Sequence, residues 1–260
     1  MSSDSPVAVV TGGGRGIGRG VSRSLAKGGF RVVVGYHAGT AAAEETVAEL
    51  KELGTEAVAV RGDISQHGVA DELVSAAVSN FGRLDGWVNN AGILITKPLL
   101  ELTEQDAVDS YRVNFLGSLF GVQAAARHFT GIGGGAIVNV NSEAAIRAWP
   151  LYGAYSPSKF AQTGLNQVAS LELGPLGIRV NSVSPGIVET DLIAEKWATE
   201  SQLTGTSVDE IRSGVQALTS LGTLSTPDDI GEAVTWLLSD RAKNINGQNL
   251  VVNGGGPTLH

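Results

Sequence analysis

A serine, a tyrosine and a lysine near the middle of the chain have the types and spacing of an acid–base site: Ser142, Tyr155 and Lys159. The four-residue spacing of Tyr155 and Lys159 puts both on one face of a helix, so we expect the ammonium to lie beside the phenol oxygen. A nearby cation favours the phenolate and would lower the phenol pKa from about 10 toward neutral pH. Such a tyrosine can donate a proton to a carbonyl oxygen.

The flanking sequence bears on this geometry. Ser142 follows an apolar, strand-like run at residues 135–141 and can present its hydroxyl to the same oxygen. Pro157 lacks a backbone N–H, so it fits best where the helix has only just begun, with Tyr155 near the positive end of the helix dipole. Taken alone, these residues also fit a surface pair on a helix and a strand-end cap, because short motifs recur by accident.

The composition limits the class of protein. The 260 residues suffice for one α/β domain, which we expect to span residues 1–260. The absence of cysteine excludes disulfides, cysteine-ligated metals and thiol catalysis. The net charge of -8 argues against nucleic acid and anionic membranes as partners. No apolar run approaches the roughly 18 residues of a membrane span. The first residues, Met-Ser-Ser-Asp-Ser-Pro, lack a basic region followed by an apolar one, so we expect a cytoplasmic protein.

A glycine-rich stretch gives these residues a context. Residues 11–18 read Thr-Gly-Gly-Gly-Arg-Gly-Ile-Gly and follow an apolar run typical of a strand buried on both faces. A helical pattern and a second apolar run come next, which is the context of a dinucleotide site. Gly12 would permit the tight turn, Gly16 would let the backbone approach a pyrophosphate, and Gly18 would let helix and strand pack closely. A purely structural glycine turn is the alternative.

Strands and helices then alternate along the chain. We predict further helices over residues 41–53, 69–81, about 103–129 and 227–239, and further strands over residues 56–60, 84–88, 178–184 and 249–253, followed by a tail at 254–260. This alternation predicts a Rossmann-like α/β fold, with a doubly wound, parallel, seven-stranded sheet and helices on both faces. Residues 190–226 interrupt it just after a strand's carboxyl end, where ligands of such sheets bind. We expect a substrate lid there, with a surface helical hairpin as the alternative.

Several motifs in this order resemble the short-chain dehydrogenase/reductase family over essentially the whole chain. They are Thr-Gly-x-x-x-Gly-x-Gly at 11–18, Asn-Asn-Ala-Gly at 89–92, Ser142 thirteen residues before Tyr155, Tyr-x-x-x-Lys, and Pro-Gly at 185–186 with Thr190. The resemblance implies that Tyr155 transfers the proton and Ser142 positions the substrate carbonyl. It also implies that Lys159 binds the nicotinamide ribose and lowers the pKa of Tyr155, that Asn114 holds a water in a proton relay, and that the protein is a homotetramer.

The resemblance and the charge pattern together define two expected sets of site residues. The cofactor set is Thr11, Gly12, Gly14, Arg15, Gly16, Ile17, Gly18, Tyr36, His37, Asp63, Ile64, Asn90, Ala91, Gly92, Tyr155, Lys159, Pro185, Gly186, Ile187 and Thr190. The substrate set is Ile93, Leu94, Glu143, Trp149, Tyr152 and Trp197, which would form a mostly apolar pocket. A turn cap is the alternative for Asp63, and a surface position is the alternative for Glu143.

Charge also bears on the choice of cofactor. An NAD-selective site usually has an acid after the second strand to bind the ribose 2′-hydroxyl. Here that place reads Gly-Tyr-His at residues 35–37, without an acid. Arg15 at the start of a helix would cost roughly 0.3 to 1 kcal/mol unless an anion compensates it. A 2′-phosphate would be that anion, so we expect NADP(H), with Arg15 and His37 near the phosphate.

The expected function is NADPH-dependent reduction of a ketone to a secondary alcohol. The cofactor would supply the hydride, and Ser142 and Tyr155 would neutralise the developing alkoxide. This chemistry needs no metal, and the sequence has no histidine or carboxylate cluster that suggests one. The expected partner is a small-molecule carbonyl compound. Reduction of a 3-oxoacyl thioester is one alternative, although Gly133 and Leu176 stand where the family's carrier-protein reductases have arginines. A non-catalytic dinucleotide-sensing module is another.

Overall fold

Seven parallel strands form the centre of the molecule in a computed structural model that describes residues 5–256. Their order across the sheet is β3-β2-β1-β4-β5-β6-β7. The strands are β1 (Val7–Thr11), β2 (Arg31–Tyr36), β3 (Ala57–Arg61), β4 (Gly86–Asn89), β5 (Gly135–Val140), β6 (Ile178–Pro185) and β7 (Asn249–Val252). The chain order reverses between β1 and β4, which opens a crevice at their carboxyl ends. The predicted fold class is confirmed.

The helices cover both faces of this sheet. They are α1 (Gly16–Lys27), α2 (Thr40–Glu52), α3 (Val69–Phe81), α4 (Glu104–Ser110), α5 (Gly117–Ile132), α6 (Tyr155–Leu173), α7 (Asp191–Thr204), α8 (Val208–Ala217) and α9 (Pro227–Leu238). Alternate strand residues point to opposite faces, so Val10 packs with α1, α2 and α9, whereas Val9 packs with α3, α5 and α6. Strands covered on both faces explain the continuous apolar runs in the sequence.

One predicted helix is interrupted. The sequence predicts a single helix over about 103–129, whereas the structure divides it into α4, a π-helical segment (Tyr111–Leu116) and α5. Asn114 lies in the π-helical segment and is fully buried, as its apolar neighbours predict. Short π-helical segments are rare and often occur at functional sites. The helical periodicity of the sequence does not distinguish one from a regular turn.

The segment at 190–226 forms the helices α7 and α8. Ile193, Trp197 and Ile211 form a small buried cluster of their own, against which Ile187 and Leu224 pack. The predicted tail at 254–260 lies partly outside the described residues, since the description ends at residue 256. No helix within residues 5–256 is long and apolar enough to cross a membrane.

The contact between α1 and α9 yields a test of the packing. A methyl group added at Gly20 would lie 2.4 Å from the backbone of Pro227. We expect Gly20→Ala to lower the free energy of unfolding by about 1 to 3 kcal/mol through overpacking. Gly214, in α8, has no atom within 4 Å of the corresponding position. The control Gly214→Ala should therefore raise stability by up to about 1 kcal/mol. Urea unfolding measures both, and a Gly20→Ala protein as stable as wild type contradicts the packing described.

Candidate active site

The turn after β1 is fixed to the end of β4. The hydroxyl oxygen of Thr11 accepts hydrogen bonds from the backbone N–H groups of Asn90 and Ala91, at 3.0 Å each. The Asn90 amide donates to the carbonyl oxygens of Thr11 and Gly12, at 3.0 and 3.1 Å. A Cβ at Gly18 would lie 2.0 Å from the Gly12 carbonyl oxygen, so only glycine lets α1 begin this close to the strand. The crevice between β1 and β4 therefore has rigid walls.

The N-terminus of α1 points into this crevice with unpaired backbone donors. Arg15 precedes the helix in an extended conformation, makes no side-chain cap, and the first turn contains no acidic residue. Unpaired N–H groups and the positive end of the helix dipole suit a phosphate. The Arg15 side chain is exposed at the cleft, and no ion pair among residues 5–256 involves it. These features fit the pyrophosphate of a dinucleotide.

Most of the expected cofactor residues line one cleft. They are Thr11, Gly12, Gly14, Arg15, Gly16, Ile17, Gly18, Tyr36, His37, Asp63, Ile64, Asn90, Ala91, Gly92, Tyr155, Lys159 and Thr190. Asp63 also accepts a hydrogen bond from the Ser65 backbone N–H at 3.0 Å, so it is a turn cap and a cleft residue at once. Ile93, expected beside the substrate, lines this cleft instead. Pro185, Gly186 and Ile187, expected beside the cofactor, line the neighbouring cavity.

That neighbouring cavity has a volume of about 520 Å³ and shares Tyr155 with the cleft. Of the expected substrate residues, Leu94, Glu143, Trp149 and Tyr152 line it, together with Ser142. One wall comes from α7 and α8, where the sequence shows no motif. This wall includes Leu192, Ile193, Lys196, Glu200, Thr204, Val215 and Leu218.

The expected position of Trp197 on the cavity wall is wrong. Residues 192, 196, 200 and 204 recur every fourth position and present one face of α7 to the cavity. Trp197 lies outside that stripe, and its indole packs against Ile193 and Ile211. Its size and apolar character therefore serve the packing of α7 on α8.

Ser142 both caps a turn after β5 and presents its hydroxyl to the candidate site, the two alternatives that its sequence position suggested. β5 ends at Val140, and Ser142 caps the short 3-10 turn at Glu143–Ala145, where its hydroxyl oxygen accepts a hydrogen bond from the Ala144 N–H at 3.0 Å. The Ser142 hydroxyl also lies close enough to the phenol of Tyr155 to lower the pKa of that phenol. α6 begins at Tyr155 itself, as the position of Pro157 predicts. The two hydroxyls therefore meet at the cavity.

The Lys159 ammonium is held by groups that the sequence spacing does not identify. It is buried and donates hydrogen bonds to the Val140 carbonyl oxygen at 3.0 Å and to Gln162 Oε1 at 3.1 Å. Its nitrogen lies 5.9 Å from the centre of the Tyr155 ring, and both side chains open onto the same cleft. The backbone at the end of β5 therefore holds the ammonium, and its expected position directly beside the phenol oxygen stays a prediction.

Burial dominates the acidity of both groups. Loss of solvation is the main reason that the pKa of Tyr155 is raised to about 12; the Ser142 hydroxyl opposes this shift, and the carboxylate of Glu143 adds a smaller increase. Burial lowers the pKa of Lys159 to about 7. The expected lowering of the Tyr155 pKa by Lys159 is therefore wrong for the free protein. At neutral pH Tyr155 is a neutral phenol, which is the protonation state of a proton donor.

Asn114 lies behind the cleft and fixes two of its walls. Its Oδ1 accepts a hydrogen bond from the Ile93 N–H at 2.9 Å, and its amide donates to the Ile93 carbonyl oxygen at 3.0 Å. The amide also donates to the Ser158 hydroxyl at 2.9 Å, and Ser158 donates to the Tyr155 carbonyl oxygen at 2.6 Å. The predicted role of Asn114 in holding a water stays a prediction.

Besides Ser158, two further buried polar residues of this network were missed in the sequence. Gln162 accepts from Lys159 and donates from Nε2 to the Ser118 hydroxyl at 2.6 Å. Ser118 in turn donates to the Asn114 carbonyl oxygen at 2.8 Å. The only available signal was the spacing, since position 162 lies seven residues after Tyr155 and so shares its helix face. The amide of Gln162 connects Lys159 to the π-helical segment.

Comparisons with known proteins identify relatives along nearly the whole chain. A family model described as enoyl-(acyl carrier protein) reductase matches residues 12–256. The chain is 40% identical over 253 residues to an L-2,3-butanediol dehydrogenase of Corynebacterium glutamicum, covering 96% of this chain and 98% of the relative. It is 35% identical over 257 residues to an (S)-acetoin-forming diacetyl reductase of Staphylococcus epidermidis, covering 96% and 98%.

Solved structures agree with the sequence relatives. A short-chain alcohol dehydrogenase described as putative, from Sinorhizobium meliloti 1021, superposes with a TM-score of 0.87 at 30% identity, covering 96% of this chain and 95% of that one. A xylitol dehydrogenase solved with bound NAD+ superposes with a TM-score of 0.91 at 26% identity, covering 98% and 100%.

The buried ammonium yields a prediction about stability and pH. The pKa of Lys159 falls from 10.5 in the unfolded chain to about 7 in the native protein. Between these values the unfolded state binds more protons, so the free energy of unfolding rises with pH. From pH 7 to pH 9, wild type should gain about 2 kcal/mol relative to Lys159→Met.

Urea unfolding at three pH values tests this difference. Lys27→Met is the matched control, because the Lys27 side chain is half exposed, and we expect its stability to run parallel to that of wild type. A difference between wild type and Lys159→Met that stays constant from pH 7 to pH 9 would show that the native ammonium is not destabilised by burial.

Proposed function

We propose, because the chain belongs to the short-chain dehydrogenase/reductase family, that it reduces a ketone to a secondary alcohol with NADPH and uses Tyr155 as the proton donor. One observation carries this proposal. Tyr155 lies on the wall common to the dinucleotide cleft and the cavity beside it. A substrate in that cavity would have its carbonyl oxygen within reach of Tyr155 and its carbonyl carbon toward the cleft.

The chain's own residues divide the work. NADPH, when bound, supplies the hydride. The turn after β1 and the N-terminus of α1 hold the pyrophosphate, while Lys159 on the cleft wall orients the ribose. Ser142 donates a hydrogen bond to the substrate oxygen, and Tyr155 donates the proton as negative charge develops there. A phenol with its pKa raised to about 12 remains protonated until that charge appears.

The relatives support this class of reaction. A butanediol dehydrogenase and a diacetyl reductase are named for small alcohols and ketones, and their similarity extends over nearly the whole chain. The largely apolar cavity suits a small carbonyl compound. We therefore favour free ketones over carrier-bound thioesters as substrates.

Three features favour NADPH over NADH. The segment after β2 reads Tyr-His-Ala-Gly at residues 36–39 and borders the cleft without an acid. Arg15 borders the same region from the start of α1. Arg61 pairs with Tyr36 across β2 and β3, and its Nε donates to the His37 carbonyl oxygen at 3.3 Å. Two guanidinium groups flank the place where the 2′-phosphate would lie, and guanidinium binds phosphate well.

The remaining expectations belong to the same proposal. We assign a single domain to the chain, with residues 190–226 as a lid over the substrate, because α7 and α8 form a wall of the cavity. Leu99, Leu100 and Leu171 are 74%, 99% and 77% exposed, and exposed apolar side chains of this kind fit burial in a homotetramer. We place this homotetramer in the cytoplasm.

The role of Tyr155 is tested by removing its hydroxyl. We expect Tyr155→Phe to lower kcat for ketone reduction about 10²- to 10⁴-fold, because the proton donor is lost. Cofactor affinity should stay near that of wild type, since the phenol ring remains. Initial rates of NADPH consumption with diacetyl and acetoin measure the first, and fluorescence titration with NADPH measures the second.

Tyr111→Phe is the control, because Tyr111 is 40% exposed and lies on neither cavity wall. Full activity of Tyr155→Phe would remove this residue from the chemistry. Turnover of 3-oxoacyl thioesters with none of free ketones would replace the proposed substrate class.

The cofactor preference is tested at Arg15. We expect Arg15→Ala to lower kcat/KM for NADPH about 10- to 100-fold, the range for a lost hydrogen bond to a charged group, with little change for NADH. Arg19→Ala is the control on the same helix, because Arg19 pairs with Glu49 and lies outside the cleft. An unchanged ratio of NADPH to NADH efficiency in Arg15→Ala would contradict the assignment of Arg15 to the phosphate.

A further inference from the structure

Glu143 is a buried carboxyl group on the wall of the substrate cavity. It follows Ser142 directly in the chain and is 8% exposed, so its expected alternative position on the surface is wrong. Its Oε2 accepts a hydrogen bond from the Asn253 amide at a long 3.4 Å. A Cβ at Gly186 would lie 3.2 Å from the same oxygen. The carboxyl is therefore held between the 3-10 turn after β5 and the loop after β6.

No cation in the described part of the chain forms an ion pair with this carboxyl. None of the ion pairs among residues 5–256 includes Glu143, and Lys196 on the same cavity is paired with Glu200. Burial raises the pKa of Glu143, and the hydrogen bond from Asn253 lowers it. A carboxylate has about four acceptor positions, and one long hydrogen bond from Asn253 leaves most of them available. A buried carboxyl with acceptor positions left unfilled favours a ligand that donates a hydrogen bond to it.

The position of Glu143 also affects the proton donor. Its negative charge raises the pKa of Tyr155, so it opposes the phenolate that forms once Tyr155 has given up its proton. A donor group on the substrate that binds Glu143 would reduce this repulsion in the reacting complex. The same substrate feature would thus satisfy the carboxyl and assist the proton transfer.

We propose that Glu143 is a specificity-determining residue whose carboxylate accepts a hydrogen bond from a hydroxyl or protonated amino group close to the reacting carbonyl. The proposal rests on the proposed ketone reduction and narrows its substrates to ketones that carry such a donor. Because Glu143 adjoins Ser142, which holds the reacting oxygen, the donor lies on a carbon near the carbonyl carbon. Hydroxyl and ammonium groups share this chemistry, and the experiment distinguishes them.

Three ketones that differ in one substituent test the proposal: 3-methylbutan-2-one, 3-hydroxybutan-2-one and 3-aminobutan-2-one. For wild type we expect kcat/KM to be about 10- to 100-fold higher for at least one donor-bearing ketone than for the methyl ketone. Glu143→Leu should abolish this preference while it still reduces the methyl ketone. Glu143→Gln, which keeps the shape of the side chain, should retain part of a hydroxyl preference and lose an ammonium preference.

The control is Glu200→Gln, which removes a second carboxyl from the same cavity, one already paired with Lys196. In this variant we expect the ratio of kcat/KM for the donor-bearing ketones to kcat/KM for the methyl ketone to stay near that of wild type. A similar loss of preference in Glu200→Gln and Glu143→Leu would assign the effect to the net charge of the cavity and overturn the proposal. Equal efficiencies of wild type with all three ketones would also overturn it.

A binding measurement separates this proposal from the proposed function. Calorimetry with the Tyr155→Phe protein saturated with NADP+ measures the affinity of the same ketones without turnover. Tighter binding of a donor-bearing ketone, lost in the Tyr155→Phe/Glu143→Leu double variant, supports the role of Glu143 even if wild type reduces none of them. Turnover of ketones without any such preference in affinity or efficiency overturns the role of Glu143 and leaves the reductase proposal standing.

Discussion

Exclusion of water around the first turns of α6 is the constraint on which the site depends. Burial raises the pKa of Tyr155 to about 12 and lowers that of Lys159 to about 7, so two groups with similar ordinary pKa values move apart. A neutral phenol and an ammonium that is readily deprotonated lie on one cleft wall as a result. Loss of solvation affects these two pKa values more than the attraction between the two side chains does. The ammonium is instead held by the Val140 carbonyl oxygen and Gln162.

The rest of the fold maintains this dry environment. The reversal of strand order between β1 and β4 creates the crevice, and Thr11 and Asn90 fix its width. Behind it, Asn114 in the π-helical segment connects the backbone at Ile93 to the start of α6 through Ser158. A π-helical segment disrupts regular helix hydrogen bonding. Here the hydrogen bonds of Asn114 to Ile93 and to Ser158 stabilise it. The network keeps Tyr155 at the junction of the two cavities.

The sequence predicts the framework well because the framework depends on local patterns. Apolar runs and glycine turns identify all seven strands within a few residues, and Pro157 correctly indicates that α6 has just begun at Tyr155. The failures concern tertiary surroundings. The ammonium of Lys159 binds a backbone carbonyl group that no spacing rule identifies, and burial reverses the expected shift in the pKa of Tyr155.

The walls of the substrate cavity show the same limit. Trp197 belongs to the apolar set expected there, but the rotation of α7 places Lys196 and Glu200 on the cavity instead. Glu143, equally compatible with the surface by its residue type, is buried because the turn after β5 carries it under the loop after β6. Sequence patterns predict which element carries a residue. They do not predict the direction of its side chain, and the role of these two residues depends on that direction.

The most direct test of the central claim is an NMR titration of the tyrosine side chains. The chain contains four tyrosines, so 13C labelling of the tyrosine ring carbons gives few resonances, and Tyr155→Phe assigns the one of interest. If burial keeps Tyr155 a neutral proton donor, its resonance stays at the protonated position through neutral pH and titrates with a pKa near 12. A pKa of Tyr155 below that of a free phenol, about 10, would contradict this and restore the lysine as the dominant influence.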